Sequence, residues 1–237
     1  MSDSSTNKPA DTLFRELTES FFDTPEISLG PFTSYSLMHD PKHLAFVLSR
    51  YKFVMKMLEG TERVMEVGSG DGIGLPLVAS VVKHLYAVDW DNRFLDGNRR
   101  RLAHLNNVSY LMANLNVESP KLDVNAVYWV DVIEHLDAES EATVLENIVR
   151  CLPDNGVLIT GTPNRLAHQY ASPLSKALHI NLKTMEELRT LMQRYFQNVF
   201  MFGMNDEVVH TGHNPMCHYL WSLAVGVRRG EAKEGKA

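Results

Sequence analysis

The sequence predicts a doubly wound α/β fold, and three observations lead to this prediction. Short apolar runs recur along the middle of the chain, and a helix-like segment follows most of them. The run 126–130 is apolar throughout, as expected of a strand buried on both faces of a parallel sheet. The last two strand-like runs have no helix between them, which predicts an antiparallel hairpin at one edge. Strands that alternate with helices form a sheet covered on both faces, and 237 residues suffice for one such domain.

The individual elements follow from the apolar runs and the turn residues that flank them. We predict strands at about 63–67, 84–88, 108–112, 126–130, 157–160, 198–204 and 217–227. We predict helices near 12–22, 41–58, 92–105, 139–152 and 184–196, and one after Gly74. The run 27–36 is rich in aromatic and hydroxyl side chains and is predicted to be a loop. The long connection 163–183 is either a binding loop or a surface insertion.

The polar ends of the chain suggest its domain organisation. We expect an N-terminal tail and helical cap over 1–59, one α/β domain over 60–228 and a polar tail over 229–237. No apolar run approaches the length of a membrane span. The two cysteines, Cys151 and Cys217, form no disulfide framework and are expected to be reduced, which fits a cytoplasmic protein.

The charge balance argues against nucleic acid as a partner. The chain has 23 basic and 29 acidic residues, a net charge of −6 and a pI near 5.9. A protein that holds a long phosphate backbone usually carries an excess of Lys and Arg. The densest basic run, 99–101, lies in a predicted helix, where a solvated helix face is the simpler interpretation.

A glycine-spaced turn follows the first predicted strand. Gly68, Gly70 and Gly72 follow Glu66 at two-residue intervals, and the second predicted strand ends at Asp89. Glycines let backbone N–H groups approach a ligand closely, and an acid at the end of the next strand can accept hydrogen bonds from ribose hydroxyls. The spacing fits neither the dinucleotide fingerprint nor a phosphate-binding P-loop. The pattern therefore predicts a nucleoside-cofactor site of another kind.

The run 66–72 resembles the first motif, E/D-x-G-x-G-x-G, of the class I S-adenosylmethionine (SAM) methyltransferases. The resemblance implies a Rossmann-like seven-stranded sheet of order 3-2-1-4-5-7-6, with strand 7 antiparallel, and SAM as the cofactor. The cofactor-binding residues that it implies are Glu66, Gly68, Gly70, Gly72, Asp89, Trp90, Asn114 and Asp131. In this scheme Glu66 meets the methionine end, Asp89 the ribose and Trp90 the adenine. Asn114 stands where relatives usually carry an aspartate.

A second motif follows the fourth predicted strand. Asp131, Glu134 and His135 resemble the D/E-x-x-E-H signature of the ubiquinone-pathway O-methyltransferases. The resemblance implies that these three residues form either a Mg²⁺ site or a base cluster. We name His135 as a candidate catalytic residue, with a packing role as the alternative. We assign no metal ligand, because the sequence does not favour a divalent metal.

A third group of candidates lies between the last two predicted strands. His210, His213 and His218 are close together there, but no cysteine or carboxylate completes a familiar zinc pattern. We name His210 and His213 as candidate general bases, which Asp206 or Glu207 would orient. His218 begins a strand and is assigned a structural role.

These features together predict a SAM-dependent methyltransferase. The expected reaction is O-methylation of a hydroxyl or carboxylate on a small-molecule, sugar or peptide acceptor. The alternatives are N-methylation of a small molecule and SAM binding without transfer. The tetrapeptide of nucleic-acid amino-methylases and the double-glutamate loop of arginine methylases are both absent from the sequence.

Overall fold

The computed structural model describes residues 9–229, and the rest of the predicted polar ends lies outside the described residues. One mixed sheet organises this part of the chain. Its strands are β1 (Arg63–Val67), β2 (His84–Asp89), β3 (Val108–Met112), β4 (Ala126–Val130), β5 (Val157–Pro163), β6 (Phe196–Asn205), β7 (Val208–His210) and β8 (Tyr219–Val227). Their order in the sheet is β3-β2-β1-β4-β5-β8-β6-β7.

The predicted strand order is confirmed, whereas the predicted number of strands is wrong. Strands β1 to β5 pair in parallel, and β8 lies antiparallel between β5 and β6, where the seventh strand was expected. The eighth strand is β7, three residues long, which pairs antiparallel with the outer edge of β6. A strand of three residues is too short to give a recognisable alternation of apolar and polar side chains.

Eight α-helices accompany the described part of the sheet. They are α1 (Ala10–Phe22), α2 (Pro31–His39), α3 (Pro41–Leu58), α4 (Leu75–Ala79), α5 (Asn92–Arg101), α6 (Ala138–Arg150), α7 (Pro173–Leu178) and α8 (Met185–Gln193). Within residues 9–229, none of these helices is both long and apolar enough to cross a membrane. Helix α8 begins at a capping box, in which Thr184 and Glu187 hydrogen-bond each other's backbone.

Helix α2 corrects the prediction of a loop over 27–36. Pro31 occupies its first turn, where a missing N–H costs nothing. The Thr33 N–H donates to Asp71 Oδ2 at 2.7 Å, and the Thr33 hydroxyl donates to Asp71 Oδ1 at 3.1 Å. These bonds satisfy a backbone donor of the first turn and fix α2 against the loop that follows β1.

Successive side chains of the central strand divide the core into two layers. Val127 and Trp129 of β4 face one layer, together with side chains of α6 and α8. Ala126, Tyr128 and Val130 face the other, together with side chains of α3 and α4. Because both faces of β4 are covered, the strand carries no charged side chain, and Asp131 and Glu134 follow at its carboxyl end.

Candidate functional site

Three glycines shape the turn between β1 and α4. Gly68, Gly70 and Gly72 all have positive φ angles of +74°, +50° and +75°. A Cβ on Gly68 would lie 2.6 Å from Val132 Cγ2, and one on Gly72 would lie 2.8 Å from the Asn98 side chain. The turn therefore requires glycine both for its backbone conformation and for its close approach to neighbouring elements.

Asp89 ties the end of β2 to this turn. Its Oδ2 accepts a hydrogen bond from the Gly70 N–H at 2.9 Å, and its Oδ1 accepts one from the Asp91 N–H at 2.9 Å. The carboxylate is almost completely buried. The acid at the end of β2 and the glycine turn are thus held in a fixed relation.

A cleft opens beside Asp89, and it brings together four of the residues predicted to bind the cofactor. It is lined by Val67, Gly68, Val88, Asp89, Trp90, Ala113, Asn114, Leu115, Asn116, Val132, Leu136 and Val144. Trp90 is largely exposed at its rim. The Asn114 side-chain oxygen accepts a hydrogen bond from the Asn116 N–H at 3.0 Å. The mostly apolar lining, with an indole and two polar groups at its edge, suits a flat heterocycle joined to a sugar.

Glu66 lies beneath the turn, and only 1% of its surface is exposed. Its Oε2 accepts a hydrogen bond from the Tyr128 hydroxyl at 2.9 Å, and the Tyr51 ring packs edge-on against the Tyr128 ring. Burial raises the pKa of Glu66 to about 8, although the nearby Tyr128 and Tyr51 hydroxyls act in the opposite direction. Its side chain is therefore engaged with two phenols inside the protein.

Asp131 stands immediately after β4 with a left-handed backbone, at a φ of +58°. This conformation is uncommon outside glycine and is best tolerated by Asp and Asn. Arg50 of α3 donates from Nη1 to Asp131 Oδ2 at 2.6 Å. The Arg50 guanidinium also lies over the Tyr219 ring, 4.1 Å from its centroid. Arg50 was not among the predicted site residues, because its partner is 81 residues away in the sequence.

Glu134 and His135 form a short 3-10 helix, Ile133–His135, that meets the segment after β5. The structure adds His179 to this pair: one ligand atom each of Glu134, His135 and His179 lie within 4.8 Å of one another. We call this group the EHH cluster. The rings of His135 and His179 are 5.0 Å apart. His179 belongs to the long connection 163–183, and no local spacing in the sequence links it to Glu134.

Two polar atoms of the EHH cluster are buried without a hydrogen-bond partner among residues 9–229. They are Glu134 Oε1 and His179 Nδ1. Glu134 Oε2 accepts from the Thr162 hydroxyl at 3.0 Å, and burial followed by the charge of Asp131 raises the pKa of Glu134 to about 8. Burial also lowers the pKa of His179. Buried polar atoms without partners are rare in folded proteins, so the EHH cluster has spare capacity for a ligand.

The other predicted catalytic histidines lie apart from the EHH cluster. His210 is in β7, where its Nε2 is 2.8 Å from Asn205 Oδ1 and its Nδ1 accepts from the Gly212 N–H at 2.9 Å. His213 is exposed in the following turn. Both ring nitrogens of His210 are thus used locally, and a base role for His210 or His213 stays a prediction. His218 precedes β8 and packs against Phe46.

The segment 163–183 forms one wall beside the EHH cluster. The Leu178 carbonyl oxygen lies 3.1 Å from His135 Nδ1, and the Asn181 N–H donates to the Glu134 carbonyl oxygen at 3.0 Å. Asn164 anchors the start of the segment by donating to the Cys217 carbonyl oxygen at 2.7 Å. The segment is therefore attached to the candidate site by its backbone.

The sheet order, the glycine turn and the acid at the end of β2 together define a class I methyltransferase fold and site. A family model described as "Methyltransferase domain" matches residues 40–198. The chain belongs to this methyltransferase domain family. The predicted resemblance to class I SAM methyltransferases is thereby confirmed, and the narrower resemblance to the ubiquinone-pathway enzymes stays a prediction.

Curated relatives match the chain over part of its length. A probable S-adenosylmethionine-dependent methyltransferase of Mycobacterium tuberculosis is 31% identical over 144 residues, which are 60% of this chain and 51% of that protein. A similar protein of Mycolicibacterium smegmatis is 31% identical over 103 residues, 44% of this chain and 38% of that one. The chain thus spans about half the length of the curated relatives it matches, or less.

Solved structures share the fold at low sequence identity. The methyltransferase domain of bacterial CtHen1 is 19% identical, with a TM-score of 0.65, over 76% of this chain and 99% of that one. The N-methyltransferase NodS of Bradyrhizobium japonicum, in complex with S-adenosylhomocysteine (SAH), is 14% identical, with a TM-score of 0.61. The match covers 82% of this chain and 92% of NodS. DhpI, in its complex with SAH, is 15% identical, with a TM-score of 0.56. The match covers 93% of this chain and 95% of DhpI.

Proposed function

We propose that this protein uses SAM to methylate an oxygen atom of its acceptor, either a hydroxyl or a carboxylate. The expected acceptor is a small molecule, a sugar or a peptide. The mycobacterial relatives are described as SAM-dependent methyltransferases, and NodS and DhpI are described in complexes with SAH or SAM. These descriptions support SAM as the cofactor of this chain.

The lining of the cleft supports one orientation of the cofactor. Trp90 and Asn114 would contact the adenine, and Asp89 would accept hydrogen bonds from the ribose hydroxyls. The methionine end would then run past Gly68 toward Asp131, because Gly68 lies directly against Val132, the next residue along the chain. In this direction the methyl group of SAM would lie toward the carboxyl end of β4, where Glu134 and His135 would be the nearby residues of the EHH cluster.

The EHH cluster is the observation that favours oxygen as the acceptor atom. A hydroxyl is a weak nucleophile until it loses its proton, whereas a neutral amine needs no such help. A backbone carbonyl can only accept a hydrogen bond, so His135 Nδ1 donates to Leu178 and its Nε2 is left as an acceptor in the neutral ring. A neutral imidazole fixed in this tautomer can take the proton of a bound hydroxyl.

The same donor set fits a divalent cation. Glu134 Oε1 and His179 Nδ1 are buried without partners among the described residues, and carboxylate oxygen with imidazole nitrogen is a common ligand combination. A bound divalent cation would act as a Lewis acid that lowers the pKa of the acceptor hydroxyl. In either case Glu134, His135 and His179 would orient the acceptor oxygen toward the methyl group.

The wall formed by the segment 163–183 supports an acceptor with an apolar body and without phosphates. Tyr170 and Leu174 are largely exposed there. Its cations are already engaged: Arg165 pairs with Glu187, Lys183 pairs with Glu141, and Lys176 donates to the Gln169 carbonyl oxygen. Because these three cations are already paired, the segment offers little to a phosphate group, which supports the proposal of an acceptor without phosphates.

A methyl-transfer assay with paired acceptors tests the proposed function. The purified chain would be incubated with methyl-labelled SAM and with phenols, hydroxybenzoic acids, sugars and short peptides, each beside its amine analogue. Label on oxygen is expected, and His135→Ala or His179→Ala should lower the rate about 100-fold. His104→Ala is the control. This exposed histidine lies between α5 and β3, at the amino ends of the parallel strands, whereas the EHH cluster lies at their carboxyl ends. Label on amines alone would support N-methylation, and SAH binding without transfer to any acceptor would support a binding protein.

A further inference from the structure

Helix α3 contributes two consecutive residues to the edge of the sheet where the cofactor is expected. Arg50 bonds Asp131, which follows β4, and the Tyr51 ring packs against Tyr128, whose hydroxyl bonds Glu66 of β1. Strands β1 and β4 are neighbours in the sheet, with Glu66 paired in register to Tyr128. Adjacent side chains of one helix turn therefore hold the two acids that flank the first glycine of the turn.

The contact of Tyr51 is with the glycine turn as well as with Glu66. A Cβ on Gly74 would lie 2.0 Å from Tyr51 Cδ1, so the aromatic ring rests directly on the end of the turn. The Tyr51 ring also meets the Tyr128 ring edge-on, with centroids 6.4 Å apart. Glu66 thus lies beside two phenols, one from α3 and one from β4, behind the residues that line the cleft.

Arg50 stabilises Asp131 in a backbone conformation that costs free energy. Residues other than glycine lose stability in the left-handed region and keep it only where their surroundings enforce it. The guanidinium supplies that restraint, because it is nine-tenths buried, lies over the Tyr219 ring and bonds the Asp131 carboxylate at 2.6 Å. Without Arg50, the carboxylate would be free to turn and the backbone at 131 would lose its support.

We infer that Arg50 and Tyr51 are positioning residues for cofactor binding, which act through Asp131 and Glu66. This inference rests on the proposed SAM-dependent function. It assigns α3 to the cofactor site, although the sequence analysis placed 41–58 in an N-terminal cap. The match of the family model from residue 40 onward is consistent with α3 as a part of the methyltransferase domain.

The first test is the affinity for SAH, measured by titration calorimetry well below the unfolding temperature. Arg50→Met and Tyr51→Phe should each raise the Kd about tenfold, as expected when one buried polar contact is lost. Arg50→Lys should recover part of the loss. The controls are Arg99→Met, which breaks the exposed pair with Asp96, and Tyr110→Phe, which removes a buried hydroxyl without a partner among the described residues. The Kd of both control variants for SAH should stay within about twofold of the wild-type value.

Double-mutant cycles test whether the two residues act through the acids. In an Asp131→Asn background, which keeps a side chain tolerant of positive φ, Arg50→Met should change the Kd by less than about twofold. In a Glu66→Met background, the same is expected of Tyr51→Phe. Additive losses in both cycles would overturn the inference, because Arg50 and Tyr51 would then act independently of these acids.

The remaining outcomes also decide between alternatives. A lower unfolding temperature with an unchanged Kd would overturn the inference, because the contacts would then serve the fold alone. Failure of the wild-type protein to bind SAH would overturn the proposed function itself, and the inference with it. Loss of SAH affinity in the variants, with wild-type binding intact and unfolding temperatures nearly unchanged, is the result that supports positioning.

Discussion

The Gly70 N–H donates a hydrogen bond to Asp89 Oδ2 at 2.9 Å, which joins the glycine turn after β1 to the end of β2. The other carboxylate oxygen accepts from the Asp91 N–H at the start of α5. One buried carboxylate therefore connects the turn, the second strand and the following helix. The residue expected to hold the ribose also maintains the shape of the glycine turn.

Asp89→Asn is expected to lower both stability and cofactor affinity. An amide NH₂ in place of one carboxylate oxygen would face a backbone N–H, so at least one buried donor loses its acceptor, at a cost of about 1–3 kcal/mol. Denaturant unfolding and SAH titration measure the two effects. Asp96→Asn, on the exposed face of α5, is the matched control and should leave both nearly unchanged. Wild-type stability in Asp89→Asn would contradict a structural role for the Gly70–Asp89 bond.

Gly72→Ala is expected to destabilise the protein more than Gly60→Ala does. Both glycines have positive φ, +75° and +80°, so both variants incur about 1–2 kcal/mol of backbone strain. A Cβ at 60 meets no atom within 4 Å, whereas one at 72 would lie 2.8 Å from the buried Asn98 side chain, which bonds the Gly70 carbonyl oxygen. The difference in unfolding free energy between the two variants measures this clash. Equal losses would show that Asn98 moves aside without cost.

The sequence predicted the centre of the sheet well, because burial on both faces leaves a strong local pattern. The predicted bounds of 63–67 and 126–130 agree with β1 and β4 to the residue. The glycine turn could also be located from sequence, since its positive φ angles and close contacts require glycine at fixed spacing. In both cases neighbouring residues in the chain determine the structure.

The features that the sequence did not predict depend on residues far apart in the chain. Arg50 meets Asp131 across 81 residues, and His179 meets Glu134 across 45, so no local spacing reveals either pair. Helix α2 was mistaken for a loop because its aromatic and hydroxyl residues have weak helix propensity, and the Thr33–Asp71 bonds that fix it come from another element. Tertiary contacts decide these cases.

Glu66 should make stability fall as the pH rises. Burial raises the pKa of its carboxyl to about 8 in the folded protein, against about 4.3 in the unfolded chain. Between these values the folded state keeps a proton that the unfolded state releases, so stability decreases with pH and levels off above about 8. From this one group, the unfolding free energy is expected to decrease by about 1.4 kcal/mol for each pH unit in this range.

The variant Glu66→Gln tests this sign directly. Its amide cannot ionise. Between about pH 5 and 8 the unfolding free energy of the variant should therefore fall less steeply with pH than that of the wild type, by the slope that corresponds to about one proton. Glu62→Gln, in which an exposed carboxylate paired with Lys83 is replaced, should keep the wild-type slope. A Glu66→Gln plot parallel to that of the wild type would show that the buried carboxyl does not titrate in this range.

A divalent cation should stabilise the folded protein through the EHH cluster. A ligand that binds only the folded state adds about 2.7 kcal/mol at a hundred times its Kd, so Mg²⁺ or Mn²⁺ should raise the unfolding temperature and a chelator should reverse the shift. His179→Ala removes one of three candidate ligands from the cluster and should abolish the shift, whereas His213→Ala, in the turn after β7, should keep it. An equal shift in both variants would place the cation elsewhere. If neither cation raised the unfolding temperature of the wild-type protein, the cluster would be left with the role of a general base. In that role the Leu178 carbonyl fixes the tautomer of His135.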